Sequence, residues 1–151
     1  MNENDVWLGT ASGGLWHSSD INSFTYTWNS SPPELDAEPI GAILLEDCTA
    51  QRCDTVWVGT GENNIRRDTY YGAGLFVLRW NANDGNYATE RVADTGERFR
   101  NGNIVDIARL SGDLYIGVSK GRSASRSTTI VTAPEPQDGY GIHRSSDEGQ
   151  S

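Results

Sequence analysis

Short apolar stretches that end in glycine recur along the chain, and each is followed by glycines that open a second apolar stretch. The three copies are Val6-Trp7-Leu8-Gly9-Thr10, Val56-Trp57-Val58-Gly59-Thr60 and Leu114-Tyr115-Ile116-Gly117-Val118. They start at positions 6, 56 and 114, so they lie 50 and 58 residues apart. A fixed spacing of this size is typical of a repeat array. The pattern therefore predicts paired strands that recur along the chain.

Other apolar stretches complete each unit. Residues 24–28 alternate aromatic residues with threonine, which predicts a half-buried outer strand. Residues 40–45 form a near-continuous apolar run, which suits an innermost strand that is buried on both faces. In the second unit the corresponding strands are predicted over 87–92 and 104–110. No segment has a 3.6-residue apolar period, so we expect almost no helix.

The size of the unit matches one propeller blade with an inserted loop, since blades run to about 40–50 residues. We predict an all-β fold, a partial β-propeller of about two to three four-stranded antiparallel blades. The predicted blade units span residues 1–45, 46–110 and 111–151. A closed ring needs at least about four blades, so we interpret the chain as a fragment truncated at both ends. We expect the remaining blades of the parent chain to be partners, and the open blade edges to cause aggregation or oligomerisation.

The units differ mainly in the connection between their first two strands. It has two residues in the first unit, about eleven in the second (61–71) and about twenty in the third (119–138). Insertions at the same point of successive repeats lie on the same rim of the array. This rim is therefore the candidate binding surface.

The loop of the second unit combines carboxylate, amide, guanidinium and tyrosine side chains, which suit sugar stacking and hydroxyl recognition. The candidate ligand-binding residues are Glu62, Asn63, Arg66, Arg67, Asp68, Tyr70 and Tyr71. The alternative is a loop that satisfies its own backbone and whose tyrosines cover the next blade. A third alternative is that its oxygens hold Ca²⁺, although their spacing matches no calcium loop. We predict no metal and no cofactor.

The overall charge argues against one class of partner. The chain has 12 basic and 21 acidic residues and a net charge of −9, whereas a nucleic-acid interface is expected to carry a basic stripe. No apolar run approaches the roughly 18–20 residues that cross a bilayer. We therefore predict neither nucleic-acid binding nor a membrane span.

The two cysteines, Cys48 and Cys53, flank a short loop between two predicted strands. Hairpin geometry can bring their Cα atoms within the roughly 4.4–6.8 Å that a disulfide requires. We predict a disulfide, and with it an exported protein that is secreted, periplasmic or on the cell surface. The alternative is a pair of free thiols in a cytosolic loop.

A hairpin motif occurs near the end of the sequence. Ser145-Ser146-Asp147-Glu148-Gly149-Gln150-Ser151 reads S-x-D-x-G-x-S, seven positions of an eight-position pattern that ends in Trp. The aspartate is expected to accept hydrogen bonds from amides across its own turn, and the glycine to adopt the left-handed conformation. Ser18-Ser19-Asp20-Ile21-Asn22 is a weaker copy, with Asn22 in the glycine position. The predicted structural residues of the two motifs are Ser18, Asp20, Ser145, Asp147 and Gly149.

Together with the repeated strands, this motif makes nearly the whole chain resemble the Asp-box, or BNR-repeat, β-propeller superfamily. That superfamily includes sialidases, sortilin-type receptors, family-74 xyloglucanases and many bacterial repeat propellers. The resemblance implies that Asp20 and Asp147 are structural and not catalytic. It does not determine an activity.

The chain lacks the characteristic residues of two enzyme activities found in the superfamily. Family-74 xyloglucanases have a catalytic aspartate in an R-T-D-I-G-G motif, and the corresponding segment 9–14 places Ala11 at that position. A sialidase needs three arginines gathered from different blades, whereas Arg66 and Arg67 are consecutive. His17 and His143 occupy similar places after a second strand begins, which indicates structural roles. We assign no catalytic residue.

We therefore predict a non-catalytic binding or scaffold propeller module that recognises carbohydrate or protein through its rim loops. One alternative is part of a glycoside hydrolase, xyloglucanase-like or sialidase-like, whose catalytic residues lie mostly outside this chain. Another is a receptor or assembly factor that binds polypeptides. The enzyme predicts inward-facing carboxylates on the same rim as Glu62 and Asp68.

Overall fold

The structure is a computed structural model that describes residues 5–30, 33–35, 38–62, 70–93, 95–99, 102–120 and 139–149. In these residues the chain is all-β, with three antiparallel sheets of three to four strands. Within each sheet, strands that follow one another along the chain pair with each other. This arrangement is compatible with a partial β-propeller, which confirms the predicted fold class.

The three sheets follow one another along the chain. The first contains β1 (Val6–Gly9), β2 (Leu15–Ser18) and β3 (Asn29–Ser30). The second contains β4 (Ile40–Cys48), β5 (Cys53–Thr60), β6 (Leu75–Asn81) and β7 (Asn86–Arg91). The third contains β8 (Gly102–Leu110), β9 (Asp113–Lys120) and β10 (Gly141–Ser145).

Helix is confined to two short segments in the described residues. They are a 3-10 turn at Pro33–Leu35 and α1 (Thr95–Arg98). The expectation of almost no helix is confirmed there. Within these residues, neither segment has the length or the apolar character that crossing a membrane would require.

The apolar run over 40–45 pairs with the strand that follows it and not with the strands before it. Leu44 lies opposite Trp57 and Leu45 lies opposite Val56, in the β4–β5 hairpin. The predicted boundary between units at residues 45 and 46 therefore falls inside β4. The residues of this run are only half-buried, and not buried on both faces as predicted. The second sheet therefore begins at Ile40.

The prediction of a strand over residues 24–28 is wrong. The third strand of the first sheet is β3, in which Asn29 lies opposite His17 and Ser30 opposite Trp16. The backbone N–H of Thr27 instead donates to the carboxylate of Asp20 over 3.1 Å, which holds this segment in a turn. The segments predicted over 87–92 and 104–110 form strands β7 and β8. β8 pairs with β9 in the third sheet, however, and not with the second unit as predicted, so the boundary predicted between residues 110 and 111 separates two paired strands.

Two apolar clusters fill the spaces between neighbouring sheets, and β5 contributes to both. Successive side chains of a strand point to opposite faces of its sheet. Val56 and Val58 belong to the cluster that contains Leu15 of the first sheet, whereas Trp57 belongs to the cluster that contains Leu114 of the third. The second sheet is thus covered on both faces by its neighbours.

Candidate functional site

The connection between β1 and β2 and that between β5 and β6 lie at the same end of the sheets. Three backbone hydrogen bonds join this end: Ile40 N–H to the Thr10 carbonyl (2.9 Å), Gly61 N–H to Pro39 (2.7 Å) and Gly72 N–H to Gly102 (3.2 Å). Lys120, at the end of β9, lies opposite Gly102, so the β9–β10 connection leaves from this end as well. We call this end, which carries residues 10–14, 61–62 and 70–74, the loop rim.

Threonine side chains fix the bases of two rim loops. The Thr60 hydroxyl donates to the Gly74 carbonyl over 2.6 Å and accepts from the Ala73 and Gly74 N–H groups over 2.7 and 2.9 Å. Thr10 makes the same pattern in the first sheet, donating to Gly14 and accepting from Gly13, both over 2.9 Å. In the third sheet Val118 takes this place opposite Gly141 and offers no hydroxyl. The loop of the second sheet therefore leaves from a rigid base.

The described ends of the candidate loop are held close together. The Glu62 N–H donates to the Tyr70 carbonyl over 3.1 Å. The side chain of Asn103, which is 2% exposed, donates to the Glu62 carbonyl over 2.5 Å. Tyr70 is 56% exposed and Tyr71 is partly buried. The other predicted residues Asn63, Arg66, Arg67 and Asp68 lie outside the described residues.

The predicted Asp-box hairpin closes on Ser145. Its hydroxyl donates to the Asp147 carboxylate over 2.7 Å and accepts from the Gly149 N–H over 2.7 Å. Gly149 has a φ of 83°, the left-handed conformation predicted for that position. A side chain there would also meet Val92. The motif therefore fixes its own turn against the second sheet.

The weaker copy in the first sheet uses its aspartate in a similar way. Asp20 accepts from the Ser18 hydroxyl over 3.0 Å and from the Thr27 N–H over 3.1 Å. These bonds, that from Thr27 first, lower the pKa of Asp20 from its usual value of 3.8. Asn22 keeps a negative φ, so it does not adopt the left-handed conformation expected at the glycine position.

Both Asp-box turns lie at the end of the sheets opposite the loop rim, because β2 and β10 run away from that rim toward them. Their aspartates are engaged with their own turns. Neither Asp20 nor Asp147 therefore lies near the candidate loop.

Cys48 and Cys53 form a disulfide, as predicted, across directly opposed positions of β4 and β5. Their Cα atoms are 3.8 Å apart, closer than the range expected from sequence. The Cys53 carbonyl accepts from the Tyr87 hydroxyl over 2.7 Å, and burial raises the pKa of that tyrosine. Cys53 is thereby held in the buried part of the second sheet, whereas Cys48 and most of the loop between the cysteines are exposed.

Sequence reasoning missed a buried carboxylate beside this hairpin. The Asp5 side chain is 0% exposed and contacts His17 Nε2 over 2.5 Å. Its other oxygen accepts from the Cys53 N–H over 3.0 Å. The His17 ring also stacks on Trp7, with 4.1 Å between ring centroids. Asp5 directly precedes the first apolar stretch, and this position alone did not indicate that its side chain is buried.

The two histidines are not equivalent, which corrects the expectation from sequence. His17 lies opposite Trp7, whereas His143 lies opposite Ile116, one position out of step. A shift of one residue sends a side chain to the other face of a sheet. His143 lies 4.9 Å from the Phe99 ring instead. It lines a cavity of about 120 Å³ beside α1, which contains none of the predicted ligand-binding residues.

Metal-binding geometry is absent from the described part of the chain, where no three His, Cys, Asp or Glu side chains gather. The fold and these sites define an all-β chain with a loop rim at one end and self-closed hairpins at the other. Comparison with protein-family models, with curated proteins and with solved structures gave no match.

Proposed function

We propose that this chain is a non-catalytic binding or scaffold module of an exported Asp-box propeller, and that it recognises carbohydrate through its loop rim. The observation that carries the proposal is the exposed Tyr70 on a loop whose base is fixed. A tyrosine exposed by 56% at a rim offers an apolar ring face and a hydroxyl to a ligand.

Preorganisation supports a binding role for this loop. Thr60 and Asn103 hold its two ends through hydrogen bonds to the backbone. A loop held in place before the ligand arrives loses less conformational entropy on binding. Ordering of the loop base therefore favours recognition by the side chains that the loop carries.

The side chains of the loop favour carbohydrate over polypeptide. Two adjacent tyrosines stand in a sequence that also carries carboxylate, amide and guanidinium groups. Aromatic rings stack on the apolar faces of sugars, and charged hydrogen-bonding groups bind their hydroxyls. Export is supported by the Cys48–Cys53 disulfide, since such bonds persist in oxidising compartments.

The test is a glycan array followed by calorimetric titration of the best ligand, with a peptide array alongside. We expect Tyr70→Ala to weaken glycan binding about tenfold through loss of stacking. Tyr26→Ala is the matched control, because Tyr26 is 54% exposed but follows β2 at the opposite end of the sheets. Equal affinity of the two variants would contradict the proposal.

Two further outcomes separate the alternatives. Binding to peptides and not to glycans would favour the receptor or assembly-factor interpretation. Release of reducing sugar from a bound glycan would show a glycoside hydrolase instead. Either result would replace the carbohydrate-binding proposal.

A further inference from the structure

The third sheet has one face directed away from the second sheet. In antiparallel pairs, directly opposed residues project to the same side. Tyr115 lies opposite Arg144, and Gly117 lies opposite Ile142. We call the surface formed by Asp113, Tyr115, Gly117, Ile142 and Arg144 the outward face. The opposite face of β9, with Leu114, Ile116 and Val118, packs into the cluster shared with the second sheet.

The face of the first sheet that meets the second sheet carries matching residue types at the five positions equivalent to those of the outward face. Trp7 lies opposite His17, and Gly9 lies opposite Leu15. The equivalent positions of the two faces are Asp5 and Asp113, Trp7 and Tyr115, Gly9 and Gly117, Leu15 and Ile142, and His17 and Arg144. Each face therefore presents an acid, an aromatic ring, a glycine, an aliphatic side chain and a basic side chain in the same order.

The acidic and basic members are paired on both faces. Asp5 contacts His17 over 2.5 Å. Asp113 contacts the Arg144 guanidinium over 2.7 Å at Nε and 2.6 Å at a terminal nitrogen, both through Oδ2. The two faces thus agree in charge placement as well as in apolar positions.

On the first sheet, this face receives β4 and the disulfide hairpin. A Cβ on Gly9 would lie 2.7 Å from the Cβ of Ile40, so the lack of a side chain at Gly9 makes the space that the Ile40 side chain fills. Asp5 accepts the Cys53 N–H, and Trp7 meets the edge of Tyr87 with 5.0 Å between centroids. Each element of the face has a partner on the second sheet.

The next interface repeats the glycine contact. A Cβ on Gly59 would lie 2.7 Å from the Cβ of Ile104 in β8. Ile40 and Ile104 each stand at the start of a strand, and each precedes an irregularity in the pairing register. At each of the two observed interfaces, an isoleucine of the inner strand therefore packs against a glycine at the equivalent position of the neighbouring sheet.

The outward face of the third sheet lacks this cover. Among the described residues, the atom nearest to a Cβ on Gly117 would be the Cβ of Asp106 in its own sheet, at 3.5 Å. Leu15 and Leu75, which lie opposite the other two glycines, are 1% and 0% exposed, whereas Ile142 is 81% exposed. The aliphatic position that is buried at both observed interfaces is therefore exposed on the outward face.

We propose that the outward face docks a further four-stranded antiparallel sheet built like the second sheet. Its innermost strand places a β-branched aliphatic side chain on Gly117, as Ile40 does on Gly9. A backbone N–H of its first hairpin donates to Asp113, and an aromatic side chain of its outermost strand packs on Tyr115. The proposal concerns assembly and does not depend on the ligand of the loop rim.

A second copy of the chain offers a poorer partner. In the described residues, the first sheet has no strand in the position that β4 holds in the second sheet. Its free side therefore presents Val6 and Leu8 of β1 instead of an inner-strand isoleucine for Gly117. The partner must contribute an inner strand.

The test is a tandem chain in which residues 25–151 are repeated after Ser151. This junction keeps the hairpin register, because Phe24 holds the place in the first Asp-box motif that Ser151 holds in the second. Ile142→Cys in the first copy reports on the face, since the natural cysteines are joined in a disulfide. We expect this thiol to react with a maleimide about 100-fold more slowly in the tandem chain than in the single chain, because access then requires local opening.

Gly117→Ala provides the matched pair of variants. In the first copy of the tandem chain the new methyl group occupies the space left by Gly117, and we expect thiol reactivity to rise at least about tenfold. In the second copy the face is again open, and the same substitution should leave the reactivity unchanged. An equal effect of the two substitutions would contradict the proposal.

Two other results would also overturn it. One is equal thiol reactivity in the single and tandem chains, whether or not the added residues fold as judged by circular dichroism. The other is protection in the single chain that increases with protein concentration, which would assign the face to a second copy.

Discussion

The two interfaces between neighbouring sheets each contain a carboxylate paired with a basic side chain, but the two carboxylates lie at different depths. Between the first and second sheets, the Asp5 side chain is fully buried and uses both oxygens, one for His17 and one for the Cys53 N–H. Between the second and third sheets, the Glu46 and Arg109 side chains are 20% and 21% exposed. Removing one partner of an ion pair costs more where water cannot replace it.

Aromatic rings meet different partners at the two interfaces. In the first, Trp7 stacks on His17 and meets the edge of Tyr87, so ring packs on ring. In the second, the guanidinium groups of Arg79 and Arg109 lie 5.7 and 5.5 Å from the Trp57 ring. The first interface thus depends on packed rings around a buried carboxylate, and the second on charged groups that are partly exposed to solvent. We therefore expect substitutions of charged residues to destabilise the chain by different amounts at the two interfaces.

The largest effect is expected from Asp5→Ala. The substitution leaves the partly buried His17 imidazole and the buried Cys53 N–H without their acceptor, which should cost about 2–4 kcal/mol of unfolding free energy. Urea denaturation followed by tryptophan fluorescence measures it. Asp54→Ala is the control: Asp54 pairs with Arg52 over 2.8 Å, but its side chain is 45% exposed. Removing the Asp54 carboxylate should cost no more than about 1 kcal/mol. Equal losses of stability in the two variants would show that the burial of Asp5 does not set the size of the effect.

A smaller loss is expected from Gly59→Ala. Its methyl group would overlap the Ile104 side chain, which is 1% exposed and cannot move without disturbing the core. Overpacking of this kind costs about 1–3 kcal/mol. Gly117→Ala in the single chain is the matched control, because its methyl group would make only ordinary van der Waals contacts, from 3.5 Å outward, with the described residues and should change stability by no more than about 0.5 kcal/mol. The same urea titration compares them, and a Gly117 variant as unstable as the Gly59 variant would show that the outward face is already covered.

Local signals were enough to predict the strands of the second and third sheets. The glycine-closed apolar stretch at 56–60 and the apolar run at 104–110 appear as β5 and β8. The disulfide followed from two cysteines on either side of one hairpin loop. Each of these inferences needed only residues that are neighbours along the chain.

Inferences that depended on pairing failed where a competing turn or partner existed. The alternating residues 24–28 have the pattern of a strand, but the Asp20 carboxylate captures the Thr27 N–H and draws the segment into a turn. The apolar residues 40–45 do form a strand, yet nothing in their own pattern indicates which neighbour they pair with. The unit boundary at residue 45 was misplaced for that reason.

The buried acid could not be derived from local sequence. Asp5 precedes a short strand in a chain with 21 acidic residues, where most carboxylates are solvated. Its role depends on the Cys53 N–H, 48 positions along the chain. On the candidate site, sequence indicated the loop, but its anchor Asn103 lies 41 positions from Glu62. Such long-range contacts are set by the packing of sheets.

The smallest effect is expected at the partly solvated interface, from Glu46→Gln. Glu46 accepts from Arg109 through two hydrogen bonds of 2.9 and 2.8 Å, and from the Trp57 indole N–H over 2.7 Å. Glutamine keeps the shape and an acceptor for Trp57 but loses the charge. We expect a loss of about 1 kcal/mol at neutral pH, since the group is partly exposed.

The pH dependence of that loss identifies its cause. The hydrogen bond from Arg109 lowers the pKa of Glu46 below its usual value of 4.5. The ionised carboxylate therefore stabilises the folded chain above pH 4.5, and this contribution disappears as the pH falls through the lower folded-state pKa. In urea titrations, the free energies of unfolding of the wild type and Glu46→Gln should converge between about pH 5 and about pH 3.

Glu148→Gln is the control, because that side chain is 50% exposed where it meets Arg79. Its free energy of unfolding should differ from that of the wild type by less than about 0.5 kcal/mol at either pH. A Glu46 difference that persists unchanged in acid would mean that the side chain acts through packing and not through its charge.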